Sequence, residues 1–211
     1  MSELSSITLV SSEGKNYKFE NVPLEFLETQ IQNKFAQKNN KTLKQTVEHA
    51  KYNDLYEETF KDYKSQFNIP IGEFLYQLKI KSSPDLDSFY RQFLNKYGDL
   101  TYCAFKITQP DRLIMQKGLY IYTVNNQTKY IGRCRDSFQR RINQGYGKIH
   151  PKNCYRDGQS TNCRVNSLIA ENLESVAFYV HVLTDDKVIK EVERELIQKY
   201  KLKLEWNIQL N

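Results

Sequence analysis

The sequence predicts an α+β protein: a C-terminal domain with a small three-stranded antiparallel sheet flanked by helices, preceded by a mostly helical N-terminal region. Before residue 110, most apolar residues recur at helical spacing. After Pro110, two β-rich runs are separated by a short asparagine turn, and a later run alternates apolar and polar residues. The later half therefore has the order β–β–α–α–β–α, which is typical of an α+β domain.

Length and composition exclude several classes of protein. A chain of 211 residues and 25.0 kDa can bury its own core without disulfide or metal support. Mean hydropathy is −0.69, and no apolar run approaches the length of a membrane span. The first residues lack the pattern of a secretory signal, and the four cysteines form no CxxC pair. We therefore expect a cytoplasmic protein with reduced thiols and no membrane partner.

The N-terminal region is predicted element by element. Residues 5–10 and 16–22 are expected to form a short strand or arm. Apolar spacing predicts a helix from Leu24 to Phe35 and a longer one over residues 43–63. Helical spacing returns at residues 71–80, and Pro84 is placed to open another helix that runs on through Phe93 and Tyr97.

The C-terminal half is predicted in the same way. Residues 118–124 and 128–134 form a hairpin, residues 138–144 a helix capped by Asp136 or Ser137, and residues 165–173 a second helix. Residues 175–183 are predicted to form a half-buried strand, and Asp185-Asp186 begins the last helix. We place the domain boundary at residues 1–112 and 113–211, with a long basic loop over residues 145–164.

Positive charge is concentrated in one segment. Residues 1–110 carry equal numbers of basic and acidic side chains, so the net charge of +6 comes entirely from the second half. Residues 129–164 contain nine basic residues against two acidic ones. This excess favours a polyanionic partner such as nucleic acid, although a solvated basic face would have the same composition.

Four polar side chains of the second half suggest chemistry on phosphate: Tyr120 and Tyr130 on paired strands, Arg141 on the following helix, and Glu193 beside the apolar stripe of the last helix. We expect them to converge on one face of the sheet. A carboxylate can hold a divalent cation, an arginine can stabilise negative charge, and a phenol can orient or deprotonate water. Each residue alone also fits an ordinary strand or surface position.

The motifs resemble the GIY-YIG nuclease superfamily over residues 117–209. Gly118-Leu119-Tyr120 is followed after a short interval by Tyr130-Ile131-Gly132, the paired motif that gives the family its name. The helix from Phe138 to Arg141, the helix with Glu193-Arg194-Glu195-Leu196-Ile197, and Trp206-Asn207 follow in the family's order. The first 110 residues lie outside the resemblance.

The resemblance implies a role for each matched residue. Tyr120 would act as general base or position the attacking water, and Tyr130 would be a second phenol of the active site. Arg141 would brace the scissile phosphate, and Glu193 would hold one Mg²⁺ ion, for which Mn²⁺ can substitute. Asn207 would tie the C-terminal segment near the site.

Two departures from the family pattern affect the supporting residues. Leu119 replaces the usual isoleucine, and Gly145 occupies the place of a histidine or tyrosine four residues after the arginine, so that its neighbour Tyr146 is the substitute candidate. Gly118 and Gly132 would serve backbone geometry.

DNA-binding side chains are expected mainly in the basic segment. Lys and Arg neutralise phosphates, while Asn, Gln and Arg can read base edges. The candidates are Arg133, Arg135, Arg140, Lys148, Lys152, Arg156, Gln159, Asn162, Arg164 and Asn166. Arg140 also competes with Arg141 for the family's arginine position. A polar surface loop is the plainer interpretation.

The resemblance therefore implies a Mg²⁺-dependent DNA endonuclease. The position of the nuclease module after a helical extension, with a basic insertion, is most like compact restriction enzymes or phage endonucleases, and sequence-specific double-strand cleavage is the preferred subtype. A homodimer or higher oligomer would allow both strands to be cut, and the N-terminal region would contact DNA or form the dimer surface. The alternatives are an inactive DNA- or partner-binding module, or a nicking, homing or host-DNA-degrading nuclease.

Overall fold

The computed structural model describes residues 5–37, 40–81 and 83–208. The strands are β1 (Ser6–Val10), β2 (Asn16–Val22), β3 (Glu25–Ile31), β4 (Tyr102–Lys106), β5 (Gly118–Val124), β6 (Gln127–Cys134) and β7 (Val176–Val182). The α-helices are α1 (Leu43–Val47), α2 (Tyr56–Tyr63), α3 (Ile71–Lys81), α4 (Pro84–Arg91), α5 (Asp111–Ile114), α6 (Phe138–Arg141), α7 (Ser160–Ala170) and α8 (Asp186–Tyr200). Short 3₁₀ helices cover Lys34–Ala36, Ala50–Leu55, Lys64–Gln66 and Pro151–Cys154, and a π-helix covers Ile142–Tyr146.

The described chain divides into two compact units that are interleaved in the sequence. Unit 1 contains residues 5–29, 103–148 and 168–208, and unit 2 contains the described residues of 30–102 together with 149–167. A single boundary near residue 112 does not separate them. The N-terminal strands belong to the same unit as the hairpin, and part of the basic segment belongs to unit 2.

Unit 1 is built on a five-stranded antiparallel sheet with strand order β1-β2-β7-β5-β6. The α+β class is thus confirmed, but the predicted three-stranded sheet is too small. Strands β1 and β2 form a hairpin that pairs with the free edge of β7, aligning Glu20 with Val180 and Val22 with Phe178. This pairing satisfies backbone groups that a three-stranded sheet would leave at an edge.

The β5–β6 hairpin follows the prediction closely. Asn125 and Asn126 both have positive φ angles, 49° and 61°, as a two-residue hairpin turn requires. Strand β5 is buried along its whole length between β6 and β7, whereas β6 is the outer strand of the sheet. Side chains from both faces of the sheet can therefore reach the rim formed by β6.

One face of this sheet is covered by α8. Asp185 caps the helix by accepting from the backbone N–H groups of Lys187 and Val188, as predicted. The apolar stripe of α8 packs on Leu119, Ile121 and Ile131 together with residues of β1 and β2; its buried members are Ile189, Val192 and Leu196. The opposite face receives the segment of α6 and the π-helix.

Unit 2 contains most of the predicted N-terminal helices, and three predictions for residues 24–97 are corrected, the first of them largely in unit 1. The helix predicted from Leu24 to Phe35 is wrong, because residues 25–31 form β3, which pairs with β4 in a separate two-stranded sheet. The long helix over 43–63 is broken at His49, whose extended backbone starts a 3₁₀ helix. Helix α4 begins at Pro84 with Ser83 as its cap, as predicted, but it ends at Arg91, before Phe93 and Tyr97.

The segment predicted as a long loop over residues 145–164 is partly helical. It contains the end of the π-helix, the 3₁₀ helix at Pro151–Cys154 and the first turn of α7, which starts five residues before the predicted helix. Among the described residues, no helix is long and apolar enough to cross a membrane.

Candidate active site in unit 1

Three tyrosines share the face of the sheet opposite α8. Tyr120 lies opposite Gly132 in the β5–β6 register, and Tyr122 lies opposite Tyr130. Because direct partners in an antiparallel pair point to the same side, Tyr120, Tyr122 and Tyr130 project together. The Tyr120 and Tyr130 rings are stacked with centroids 6.1 Å apart.

Gly132 provides the space that Tyr120 occupies. A Cβ atom at residue 132 would lie 2.5 Å from Cζ and 2.6 Å from Oη of Tyr120. Any side chain there would collide with the tip of the phenol. The position of Tyr120 therefore requires a glycine at residue 132.

Gly118 is required by the backbone. Its φ angle is +146°, and a Cβ atom would lie 2.1 Å from the carbonyl oxygen of His181 on β7. Only glycine tolerates both conditions. It lets β5 begin close against β7 and so sets the start of the strand that carries Tyr120.

Arg141 reaches the tyrosines from α6. Ser137 caps this short helix by accepting from the N–H of Arg140, and Phe138 is fully buried. This anchoring directs Arg141 to the tyrosine face, whereas Arg140 is exposed and pairs with Asp136 at 2.8 Å. The structure thus separates the two adjacent arginines, and Arg141 alone joins the tyrosines.

The π-helix brings Tyr146 onto the same group. The N–H of Gly147 donates to the carbonyl of Ile142, a five-residue step, so one extra residue is accommodated after Arg141. Asn143 fixes this segment by exchanging two hydrogen bonds with the backbone of Ile107, at 2.8 and 3.0 Å. Tyr146, five residues after the arginine, consequently lies against Tyr120 and Arg141.

The hydroxyl of Tyr146 is the centre of a hydrogen-bond network. It accepts from the hydroxyl of Tyr120 at 3.1 Å and from Nη2 of Arg141 at 2.7 Å, and it lies 3.0 Å from the hydroxyl of Tyr130. The guanidinium also stacks over the Tyr146 ring, 4.4 Å from its centroid, and its Nε is 3.4 Å from the hydroxyl of Tyr120. We call Tyr120, Tyr130, Arg141 and Tyr146 the tyrosine–arginine cluster.

Burial keeps the phenols of Tyr120 and Tyr130 protonated. Tyr120 is 1% exposed, and its burial, followed by the proximity of Tyr146 and Tyr130, raises its pKa well above the ordinary value of 10.0. Burial likewise raises the pKa of Tyr130. Burial alone would lower the pKa of Arg141, but the neighbouring phenols outweigh it and the pKa is raised. At neutral pH Arg141 is therefore a cation beside the neutral hydroxyl groups of Tyr120 and Tyr130.

Tyr122 extends the cluster and was missed by sequence reasoning. It is fully buried, its ring packs 5.0 Å from Phe178, and its hydroxyl has no hydrogen-bond partner among the described residues. A buried hydroxyl without a partner is costly, so its presence beside the cluster calls for an explanation. The period-two spacing from Tyr120 was a signal that could have placed it on this face.

Glu193 lies on the other face of the sheet, which corrects the expectation of a single convergent face. It is on α8, its side chain is 17% exposed, and Nη1 of Arg133 contacts its carboxylate at 2.6 Å. Burial raises the pKa of Glu193, while Arg133 and Arg135 oppose that rise. Because α8 packs on the Leu119 and Ile131 side, Glu193 approaches the tyrosine–arginine cluster only around the outer strand β6.

At the rim formed by β6, Arg133 lies between Glu193 and the tyrosine–arginine cluster. A depression of about 510 Å³ is lined by Arg133, Cys134, Arg135, Asp136, Arg140 and Arg141. The depression thus joins the partner of Glu193 to the arginine of the cluster along one continuous surface. Four arginines against one aspartate make it strongly cationic.

The C-terminal segment is held against β6. The side chain of Asn207 exchanges two hydrogen bonds with the backbone of Ile131, accepting at 2.9 Å and donating at 2.8 Å. The Trp206 side chain is buried, and the backbone N–H of Trp206 donates to the carbonyl of Lys129 at 2.9 Å. Asn207 therefore satisfies the backbone N–H and carbonyl of Ile131, which lies between Tyr130 and Gly132 on the outer strand. This structural role stiffens the site.

Glu193 is a single carboxylate that could serve as a ligand of one hard cation. Among the described residues no group of three or more His, Cys, Asp or Glu side chains is close enough to hold a metal ion. Mg²⁺ does not need such a cage, since it keeps several waters and commonly binds one or two carboxylates together with phosphate oxygens. Glu193 would supply one such carboxylate, and the remaining ligands would come from water and phosphate.

The predicted DNA-binding residues are divided between the units. In unit 1, Arg133, Arg135 and Arg140 line the cationic depression, and Lys148 is exposed. In unit 2, Lys152 and Gln159 line a separate depression of about 400 Å³.

The remaining predicted contacts of unit 2 have structural partners. Arg156 forms a two-fold ion pair with Asp54 at 2.9 Å, and Arg164 lies over the ring of Tyr97. Asn162 is 5% exposed and Asn166 is fully buried. In this conformation both asparagine side chains lie inside unit 2 and do not present their amides at its surface. All four cysteines are buried free thiols.

Comparison with known proteins adds no further constraint. No protein-family model matches the chain, and no curated protein or solved structure is similar enough to it to count as a match.

Proposed function

We propose that this protein is a DNA endonuclease of the GIY-YIG type that hydrolyses phosphodiester bonds with the help of one Mg²⁺ ion. The observation that carries the proposal is the tyrosine–arginine cluster. Three hydroxyl groups and a guanidinium form one hydrogen-bonded unit. The depression beside it is also lined by Arg133, the ion-pair partner of the half-buried Glu193 carboxylate. Four sequence motifs supply these residues in the order that the family has them.

Arg141 is suited to stabilise the phosphate. Its planar guanidinium is held by stacking on Tyr146 and by two phenolic oxygens, so little conformational entropy is lost when it binds an oxyanion. Preorganised donors of this kind lower the energy of a transition state that carries extra negative charge. Arg140, already paired with Asp136 at the surface, lacks this constraint.

Tyr120 is suited to position water rather than to remove its proton in the resting protein. Its raised pKa keeps the hydroxyl protonated at neutral pH, and its proton is directed toward Tyr146. A neutral phenol can accept a hydrogen bond from water while it donates to its neighbour. The alternative role of general base would require its pKa to fall when substrate binds.

Glu193 supplies the carboxylate for the cation. Burial raises the pKa of this carboxylate, Arg133 opposes that rise, and the ion pair holds the carboxylate at the rim. When bound, Mg²⁺ would neutralise charge on the phosphate oxygens and polarise water. The chain itself contributes the single anionic ligand, the guanidinium and the ordered hydroxyl groups.

A restriction-type enzyme, cutting both strands at a defined sequence, is the subtype we favour. The N-terminal strands β1 and β2 are part of the sheet that carries the cluster, so this region is not a detachable module. Such a compact arrangement is expected of a stand-alone endonuclease. Double-strand cleavage by a protein with one such cluster would require a homodimer or higher oligomer.

The test is cleavage of supercoiled, unmethylated plasmid in Mg²⁺, beside an EDTA control and the Glu193→Ala variant. Glu191→Ala is the matched control, because it removes an exposed carboxylate from the same helix. Discrete fragments that disappear in EDTA and with Glu193→Ala, but persist with Glu191→Ala, would support a sequence-specific nuclease. Nicking or smearing with the same dependence would keep the chemistry and refute the restriction subtype. Salt-sensitive DNA binding without cleavage would indicate an inactive binding module.

A further inference from the structure

A row of positive side chains that the proposed reaction does not use follows helix α8. Lys187, Lys190 and Arg194 lie on α8, and Lys201 is its C-terminal cap residue with a helical backbone. Their intervals of three, four and seven residues place them along one face. With a rise of 1.5 Å per residue, the row is about 21 Å long. All four side chains are exposed.

The row is distinguished by what its members do not contact. Three acidic residues of α8 are engaged within unit 1: Asp186 pairs with Lys117 at 2.7 Å, Glu193 with Arg133, and Glu195 accepts from the N–H of Ser12 at 2.8 Å. By contrast, no ion pair is found for the four cations of the row anywhere in the described ranges. Their charge is therefore directed to solvent, with only the exposed Glu191 beside them.

The row borders a groove of about 780 Å³ between α8 and the C-terminal segment, which we call the α8 groove. Its floor is apolar and includes Ile197, Leu204 and Ile208, and its rim includes the four cations and Arg133. Five positive groups face Glu191 and Glu193. The shape and charge fit a polyanionic chain with apolar faces between its charges, as a nucleic-acid strand has along its sugars.

The α8 groove is continuous with the candidate active site. Glu193 lies in its wall, and Arg133 lines both the groove and the cationic depression that contains Arg141. A strand whose phosphate lies at Arg141 and Glu193 can therefore continue along α8 without leaving a positively charged surface. Regularly spaced phosphates over several nucleotides would meet the row along its length.

We infer that the α8 groove binds the phosphate backbone of the DNA strand on the Glu193 side of the scissile bond. This inference rests on the proposed function, because it extends the same site. Lys187, Lys190, Arg194 and Lys201 neutralise successive phosphates, and the apolar floor contacts the sugars. The contacts are electrostatic and independent of base sequence.

The test measures binding of a short fluorescent DNA duplex by anisotropy in EDTA, where no cleavage occurs, between about 50 and 200 mM salt. The variant is Lys190→Gln with Arg194→Gln. Lys15→Gln with Lys18→Gln is the matched control, since it removes two exposed charges from the β1–β2 hairpin of the same unit. Lys190→Arg with Arg194→Lys keeps the charge and should bind as the unaltered protein does.

The groove variant is expected to weaken binding roughly tenfold and to lower the salt slope by about 1.8, the value for two lost phosphate contacts. The control pair should leave the slope unchanged. Equal effects in both variants, or weaker binding with an unchanged slope, would overturn the inference while the nuclease proposal stands. So would an unchanged slope with an altered oligomeric state, since the groove would then be a surface between copies. If the unaltered protein neither binds nor cuts DNA, the proposed function itself fails.

Discussion

Replacing Gly132 by alanine should damage the site through a single contact. The added Cβ would lie 2.5 Å from Cζ, 2.6 Å from Oη and 2.8 Å from Cε2 of Tyr120, all shorter than real Cβ contacts. Tyr120 is 1% exposed, and four rings surround it, so it cannot swing away freely. The phenol or strand β6 must therefore move by about 0.5 Å or more, which is overpacking.

The expected cost is about 1–3 kcal/mol in the free energy of unfolding, as overpacked cores usually show. Displacement of the Tyr120 hydroxyl should also lower cleavage by roughly a hundredfold, because reacting groups tolerate little misplacement. The assays are urea denaturation and the rate of plasmid nicking under saturating Mg²⁺.

Gly145→Ala is the matched control. Its Cβ would have 3.8 Å to the nearest atom, Nη1 of Arg141, so it should retain both stability and cleavage. If Gly132→Ala keeps the stability and the activity of the unaltered protein, the proposed role of Gly132 as the space for Tyr120 is refuted. If stability falls and cleavage does not, Tyr120 does not act in the reaction.

Three further predictions concern the cluster. Tyr146→Phe removes the hydroxyl that accepts from Tyr120 and Arg141, so the free energy of unfolding should fall by about 1–3 kcal/mol and cleavage should also fall. Tyr122→Phe removes a hydroxyl that has no partner among the described residues. Denaturation should therefore show it to be neutral or stabilising. Arg141→Lys should reduce the cleavage rate strongly, because lysine cannot reproduce the planar stack on Tyr146. Arg140→Lys should leave the rate nearly unchanged, since Arg140 pairs with Asp136 at the surface. A larger loss with Arg140→Lys than with Arg141→Lys would refute the choice of Arg141 as the phosphate-binding arginine. The raised pKa values of Tyr120, Tyr122 and Tyr130 mean that the folded protein holds these protons to higher pH than the unfolded chain does. The stability that these three groups contribute should therefore be fully present below pH 10.0 and be lost as the pH rises above it. Ultraviolet absorbance should then show tyrosines that ionise only on unfolding, and their normal ionisation near pH 10.0 in the native state would contradict the burial argument.

Local sequence determined the elements that depend on local chemistry. The asparagine turn between β5 and β6, the caps at Ser83, Ser137 and Asp185, and the strand of residues 176–182 were readable because turns, caps and period-two alternation act between near neighbours. The five residues Tyr120, Tyr130, Arg141, Glu193 and Asn207 were identified from the order of the motifs, and the structure brings the first three close together.

Tertiary structure decided the features that depend on partners far along the chain. Strands β1 and β2 became part of the main sheet because the free edge of β7 could pair with them, and no local pattern reveals that edge. Residues 25–31 form a strand although their apolar spacing also fits a helix, because β4, more than seventy residues later, supplies the hydrogen bonds. Likewise, Asn162 and Asn166 looked available to DNA until packing placed them inside unit 2.

The candidate site shows the same division. The residue types that can act on phosphate are encoded in the motifs, because tyrosine, arginine and glutamate are needed whatever surrounds them. Their arrangement is a tertiary property: the π-helix turns Tyr146 toward Tyr120, and packing of α8 places Glu193 on the opposite face, so that it meets the cluster only around β6. Sequence thus determined which groups are available, while long-range strand pairing and helix packing decided where each one points, since those contacts join segments that no local preference connects.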